Sequence, residues 1–168
     1  MRSFTDQRLT LAELGQLLWA GQGITSPAGL RAAPSAGALY PLELYAVTPD
    51  GVYHYRPQGH QLVLHLAGDM RPALATAALS QSSVAQAAVV IVIAAVYART
   101  AQKYGATRTP RYVVLEAGHV GQNVLLQAVA LGLGGVPIGA FYDDQVQAVL
   151  KLPADQEPLY LIPIGRPA

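Results

Sequence analysis

The sequence predicts an α+β fold, with helices packed on a central, mostly antiparallel sheet. Three stretches carry that expectation. Leu42–Thr48, Val52–Tyr55 and Gln61–Leu66 are short strand-like runs separated by hairpin turns at Pro49-Asp50-Gly51 and around Gly59. Ala88–Ala95 is rich in β-branched residues and reads as a fully buried strand. Arg111–Phe141 reads as one long, mostly apolar helix, a glycine-rich turn and an extended segment. Strands and helices interleave without a regular βαβ rhythm, which favours a layered α+β arrangement. With 168 residues and no linker or repeat, a single domain over 1–168 is expected.

Taken in order, Thr10 and Glu13 have capping-box spacing ahead of an apolar-periodic helix through Leu14, Leu17, Leu18 and Trp19. Gly21 or Gly23 is expected to end it as a left-handed cap. Ile24–Ala33 reads as a loop, followed by the small, neutral Ala33–Pro41. The three short strands come next, forming a small flap or a sheet edge. Asp69–Ser80 reads as a helix. Tyr97–Pro110 is polar and basic and reads as a loop carrying Lys103 and Tyr104. In the long helix, Glu116, His119, Asn123 and Gln127 recur at i, i+3, i+7 and i+11, so they share one face. The remaining positions are mostly apolar, which predicts a helix packed on several sides with one wet face. Asp143 or Asp144 is expected to cap a short helix, and Leu159–Ile164 to form the last strand.

Composition narrows the function. Hydrophobic residues make up 52% and charged residues 12%, too few charges to cover a surface of this size, so an apolar subunit interface is expected. A net charge of +1 without a basic cluster argues against nucleic-acid binding. The absence of cysteine removes disulfides, thiolate metal sites and cysteine nucleophiles. Four scattered histidines make no zinc motif, and no metal is expected. No apolar run reaches membrane-spanning length and no signal-peptide core is present, so the expectation is a soluble, cytoplasmic protein.

Two segments read as ligand-contacting backbone: Pro34–Pro41 and Gly132–Phe141, whose small residues leave main-chain N–H groups accessible. Either could also be only a tight turn. Lys103 and Tyr104 could protonate or orient a substrate, or could be exposed loop residues. Glu116 could be a base, or a buried carboxylate paired with Arg111 or Arg99.

Four motifs occur together in order: Pro34-Ser-Ala-Gly-Ala-Leu-Tyr-Pro-Leu-Glu-Leu-Tyr45, Lys103-Tyr-Gly105, Arg111 to Asn123, and Pro137-Ile-Gly-Ala-Phe141. With these the chain resembles the SagB-type dehydrogenases of the FMN-dependent nitroreductase-like superfamily, over nearly its whole length. The resemblance implies a nitroreductase-like sandwich, an intertwined homodimer, and FMN bound at the subunit interface. It implies hydride transfer by ping-pong chemistry between a small-molecule donor such as NAD(P)H and an acceptor. The cofactor-binding set that it implies is Pro34, Ser35, Ala36 and Gly37 on the first loop, and Asn123. Pro137 and Ile138 belong to it too, with Gly139 and Ala140 giving N–H groups near the flavin. Ala38 and Tyr40 stand where the superfamily often carries Asn and Gln. Of the phosphate-binding Arg-x-Ser-x-Arg segment, Arg2 matches the last arginine, and Arg166 is the candidate C-terminal partner. Lys103 and Tyr104 match the Lys-Tyr pair of azoline-oxidising members and are the candidate catalytic residues. A flavin-binding or interaction module that keeps the dimeric fold without turnover is the alternative.

Overall fold

The computed structural model describes all 168 residues. Its elements are α1 (Leu11–Gln22), a 3-10 turn (Ala36–Ala38), β1 (Leu42–Val47), β2 (Gly51–Arg56), β3 (Gln61–Ala67), α2 (Arg71–Ala77) and α3 (Ser82–Gln86). They continue with β4 (Val89–Ala95), α4 (Tyr97–Ala130), β5 (Gly134–Gly135), α5 (Asp143–Leu150) and β6 (Glu157–Gly165). The strands form one sheet in the order β3-β2-β1-β4-β6-β5, every neighbouring pair antiparallel. The fold is α+β, as the sequence predicted. The three short strands are not a separate flap but one half of this sheet.

β4 lies in the middle and all seven of its residues are buried, because both of its faces carry helices. Strand alternation divides its side chains: Ile91 and Ile93 face a core shared with α1 and α4, and Val90 and Val92 face a core shared with α2 and α5. The two cores hold 20 and 19 buried residues, so the molecule is a true three-layer sandwich with neither face accessory.

The Thr10 capping box forms as expected: the Thr10 N–H donates to Glu13 Oε2 at 2.8 Å and the Glu13 N–H to Thr10 Oγ1 at 3.2 Å. The end of α1 differs. Gly23 sits at φ −62°, extended rather than left-handed, and glycine stands there because a Cβ would lie 2.3 Å from the Trp19 indole. α5 starts without a side-chain cap; Asp143 and Asp144 lie in its first turn, where negative charge suits the helix dipole.

The largest correction concerns Tyr97–Pro110. It is not a loop but the first part of α4, interrupted at Gly105 (φ 70°, ψ 166°). Thr109 Oγ1 donates to the Gly105 carbonyl at 2.8 Å and closes the break. The second correction concerns burial. α4 packs through Val113, Ala117, Val120, Val124 and Ala128, but Val114 (57% exposed), Leu115 (55%), Leu126 (60%) and Val129 (73%) form an uncovered apolar face. The polar stripe does not share one wet face: Glu116 is buried, Asn123 and Gln127 turn to α1, and only His119 is exposed. No helix is long and apolar enough to cross a membrane.

Candidate functional site

The loop between α1 and β1 has an unusual backbone. Gly37, Ala38 and Tyr40 have φ of 64°, 54° and 47°, in the left-handed region that favours glycine. Ser35 holds the bend: its carbonyl accepts the Ala38 N–H at 3.0 Å and its Oγ accepts the Tyr40 N–H at 2.9 Å. The N–H groups of Ser35, Ala36 and Gly37 donate to nothing within the chain.

Lys103 and Tyr104 come to this loop from α4. A Cβ on Gly37 would lie 3.0 Å from Tyr104 Oη and 3.1 Å from Lys103 Nζ, so only glycine allows the loop and the pair to meet this closely. Tyr104 packs edge-on against Tyr112, 4.7 Å between ring centroids, one side of the Gly105 break against the other. The break therefore aims the Lys-Tyr pair.

Behind the loop is a polar network that sequence reasoning largely missed. Arg31 lies 4.4 Å over the Tyr40 ring, and its N–H donates to Tyr40 Oη at 3.1 Å. Its guanidinium donates to Gln22 Oε1 at 2.7 Å. Arg99 donates to the Tyr40 carbonyl at 3.1 Å and pairs with Glu43, which also takes His54 Nε2 at 2.6 Å. Burial pushes the Glu43 carboxyl up, but the hydrogen bonds from His54 and Arg99 outweigh it and hold it below the usual range. Glu116 pairs with neither Arg111 nor Arg99. It is 2% exposed beneath the Ser35 loop, and burial raises its pKa against the pull of Ser35, Gln22 and Arg31.

The second segment runs along β6. Ile138 exchanges two hydrogen bonds with Leu161, at 2.8 and 3.0 Å, which anchors Pro137–Ala140 at the sheet edge. The next two N–H groups, of Gly139 and Ala140, are exposed and donate to nothing within the chain. Gln81 joins this segment to the N-terminus: its Nε2 donates to the Ala140 carbonyl at 3.1 Å, and its Oε1 accepts from Arg2 at 3.1 Å.

The other candidate residues fall elsewhere. Asn123 gives its amide to the carbonyls of Ala20 (3.2 Å) and Ala32 (3.4 Å), tying the end of α1 to the approach to Pro34. Arg166 pairs with Glu13 at 2.7 Å, on the α1 side of the sheet. Arg2 turns to Gln81 beyond α2, on the side of Phe4. The structure thus directs the two arginines to opposite faces within one chain, since Phe4 and Pro167 are bridge partners and side chains alternate along paired strands. No hydrogen bond or ion pair joins the Pro34–Gly37 loop to the Pro137–Ala140 segment within the chain. No group of three His, Asp or Glu side chains could hold a metal.

Small residues and unclaimed amides at both segments describe a socket for a flat, hydrogen-bond-accepting ligand. The nitroreductase family model matches residues 1–166. The chain belongs to the nitroreductase family. It is 45% identical to MJ1384 of Methanocaldococcus jannaschii, which carries a nitroreductase name, over 99% of this chain and 85% of that one. It is 30% identical to the trifolitoxin-processing protein TfxB of Rhizobium leguminosarum, but that match covers 73% of this chain and only 35% of TfxB. Among solved structures, a nitroreductase-type protein of Ralstonia eutropha superposes with a TM-score of 0.88 at 29% identity, covering all of this chain and 78% of its own. The NADPH:FMN oxidoreductase of Vibrio harveyi, complexed with NAD+, superposes with a TM-score of 0.74 at 26% identity, over 99% of this chain and 64% of that one. The family places the chain among flavin-dependent oxidoreductases.

Proposed function

We propose that this chain, as a single domain over 1–168, is an FMN-dependent oxidoreductase of the SagB-type branch, working as a homodimer with flavin bound at the subunit interface. The observation that carries this is the pair of small-residue segments with unclaimed N–H groups, Ser35–Gly37 and Gly139–Ala140. They suit the ring end of the cofactor. Bound there, the flavin would supply hydride acceptance and donation, and the chain the socket around it. Gly139 and Ala140 would donate to the ring where negative charge grows on reduction. Lys103 and Tyr104, held against Gly37, would orient or protonate the second substrate. NAD(P)H is the proposed electron donor.

The dimer reading is supported by the uncovered face of α4. Gly118 lies on it with no atom within 4 Å of a would-be Cβ, so another backbone could approach closely there. In such a dimer the Pro34–Gly37 loop of one copy would meet the Pro137–Ala140 segment of the other.

The phosphate end favours a second reading, a flavin-binding module without turnover. Arg166 is already neutralised by Glu13, and Arg2 points to the other face. Purified protein should be yellow, and NADH or NADPH should bleach it. Lys103→Ala and Tyr104→Phe should lower turnover at least tenfold with flavin content unchanged, as expected for general acid–base groups. Flavin that binds but turns over with no donor would favour the module; colourless protein that ignores added FMN would exclude both.

A further inference from the structure

We propose that Arg99 is a positioning residue for the cofactor loop: by gripping the Tyr40 carbonyl it holds the Ser35–Gly37 N–H groups in the arrangement that receives a flavin. This rests on the reading that the Pro34–Gly37 loop holds the flavin.

The loop is held at one residue. The hydrogen bonds of residues 35–39 stay inside it: the Ser35 carbonyl accepts the Ala38 N–H at 3.0 Å, and Ser35 Oγ accepts the Tyr40 N–H at 2.9 Å. Tyr40 alone bonds outward. Its Oη accepts the Arg31 N–H at 3.1 Å, its ring lies under the Arg31 guanidinium, and its carbonyl accepts from Arg99 at 3.1 Å. Tyr40 is also the bulkiest of the three left-handed residues, at φ 47°. A large residue stays in that region only where its surroundings hold it there. Arg31 grips the side chain. From outside the loop, only Arg99 grips the main chain. The next residue, Pro41, is already fixed to the sheet, its carbonyl accepting the Val96 N–H at 2.8 Å. The direction of the Tyr40 carbonyl therefore sets how the loop leaves the sheet.

Arg99 is itself aimed. One arm of its guanidinium reaches Tyr40 and the other pairs with Glu43 on β1. Glu43 in turn takes His54 Nε2 from β2 at 2.6 Å, and Tyr45 stacks on the His54 ring with centroids 4.8 Å apart. Glu43 stands opposite Ala94 of the buried β4, so it cannot follow the loop. A planar guanidinium with its two arms on two acceptors is held in one orientation. Arg99 and Lys103 are four residues apart on α4 and share a face. The same helix segment thus meets the loop twice, at Tyr40 through Arg99 and at Gly37 through Lys103 and Tyr104.

The consequence is preorganisation. A loop that keeps its receiving arrangement only part of the time binds its ligand with an affinity reduced by that fraction. Without the Arg99 bond the amides sample other directions, and FMN must wait for the right one. Association slows by the lost fraction, while the complex, once formed, dissociates as before. A residue that touched the flavin would act the other way, through dissociation. A residue that only stabilised the fold would change the Tm and neither rate.

The test is FMN association and dissociation by the full chain, freed of flavin and followed by stopped-flow quenching of FMN fluorescence. The variants are Arg99→Met, Glu43→Met and the double variant, beside wild type. No turnover is involved. Loss of one charged hydrogen bond should slow association about tenfold in all three variants, with dissociation unchanged. Glu43 acts through Arg99, so the double variant should be no slower than Arg99→Met. The double variant also separates positioning from stability. Replacing both members of an ion pair by apolar side chains should keep the Tm close to wild type, whereas either single change leaves a partly buried charge short of a partner. A double variant that takes up FMN as fast as wild type overturns the proposal, and so does faster dissociation with association unchanged; both leave the flavin reading intact. If Arg99→Met does not fold, Glu43→Met and the double variant decide by the same outcomes. A wild type that binds no FMN removes the flavin reading, and this inference with it.

Discussion

Ser35, Gly37 and Tyr40 show how few residues shape the socket. Gly37 is left-handed and touches the Lys103-Tyr104 pair, so Gly37→Ala should meet two penalties. The backbone costs about 1–2 kcal/mol, and the pair must shift by some tenths of an ångström. The Tm should drop by about 2–8 °C, and flavin-bound turnover should drop with it; unchanged turnover would mean that the contact does not matter. Glu43 gives a pH signature. Its carboxyl is held below its unfolded value of 4.5 by His54 and Arg99, so its contribution is full above that value and is lost as pH falls through the lower folded pKa. Arg99→Met should therefore lower the Tm at neutral pH, and the gap to wild type should close on acidification. At this scale the sequence revealed the small residues and Lys103-Tyr104 through their motifs. It did not reveal that Gly37 faces that pair, nor that Gln81 links Arg2 to Ala140, because residues 59 and 79 positions apart carry no local signal of each other.

The elements were mostly legible. The Thr10–Glu13 box, the Pro49–Gly51 hairpin and the β-branched run of β4 each act within a few residues, and each forms where expected. α4 was not legible in full. Gly105 and Pro110 are strong punctuation in a polar stretch, and they read as loop. The structure keeps the helix running by confining the break to Gly105, at a φ/ψ that is close to glycine-only, and carries Pro110 inside the second segment, where its ring removes one backbone donor without ending the helix. Gly105→Ala should cost about 1–3 kcal/mol. It should also swing Lys103 and Tyr104 off Gly37, so turnover should fall more than flavin content. Equal losses in absorbance and turnover would show that the break serves stability alone.

At the scale of the molecule, α4 joins both themes. One side fills the core with α1 and the sheet; the other leaves Val114, Leu115, Leu126 and Val129 uncovered. A second copy, as proposed, would cover what is left exposed of these four side chains, each worth at most about 1.5–3 kcal/mol before the entropy cost of association. Leu115→Glu with Leu126→Glu should give a monomer by light scattering. If the seam completes the socket, that monomer should also lose its flavin; a monomer that stays yellow would place the whole site in one chain.

Taken alone, the sequence determined the α+β layering, the hairpins, the cap of α1 and the family motifs, because turn chemistry, hydrophobic period and capping all act over short separations. Only the tertiary structure decided that Glu116 lies buried beneath Ser35, that Arg2 and Arg166 part to opposite faces, and that the apolar helix is covered on one side alone. Those outcomes depend on which distant residue fills the space opposite each side chain, and no local pattern encodes that.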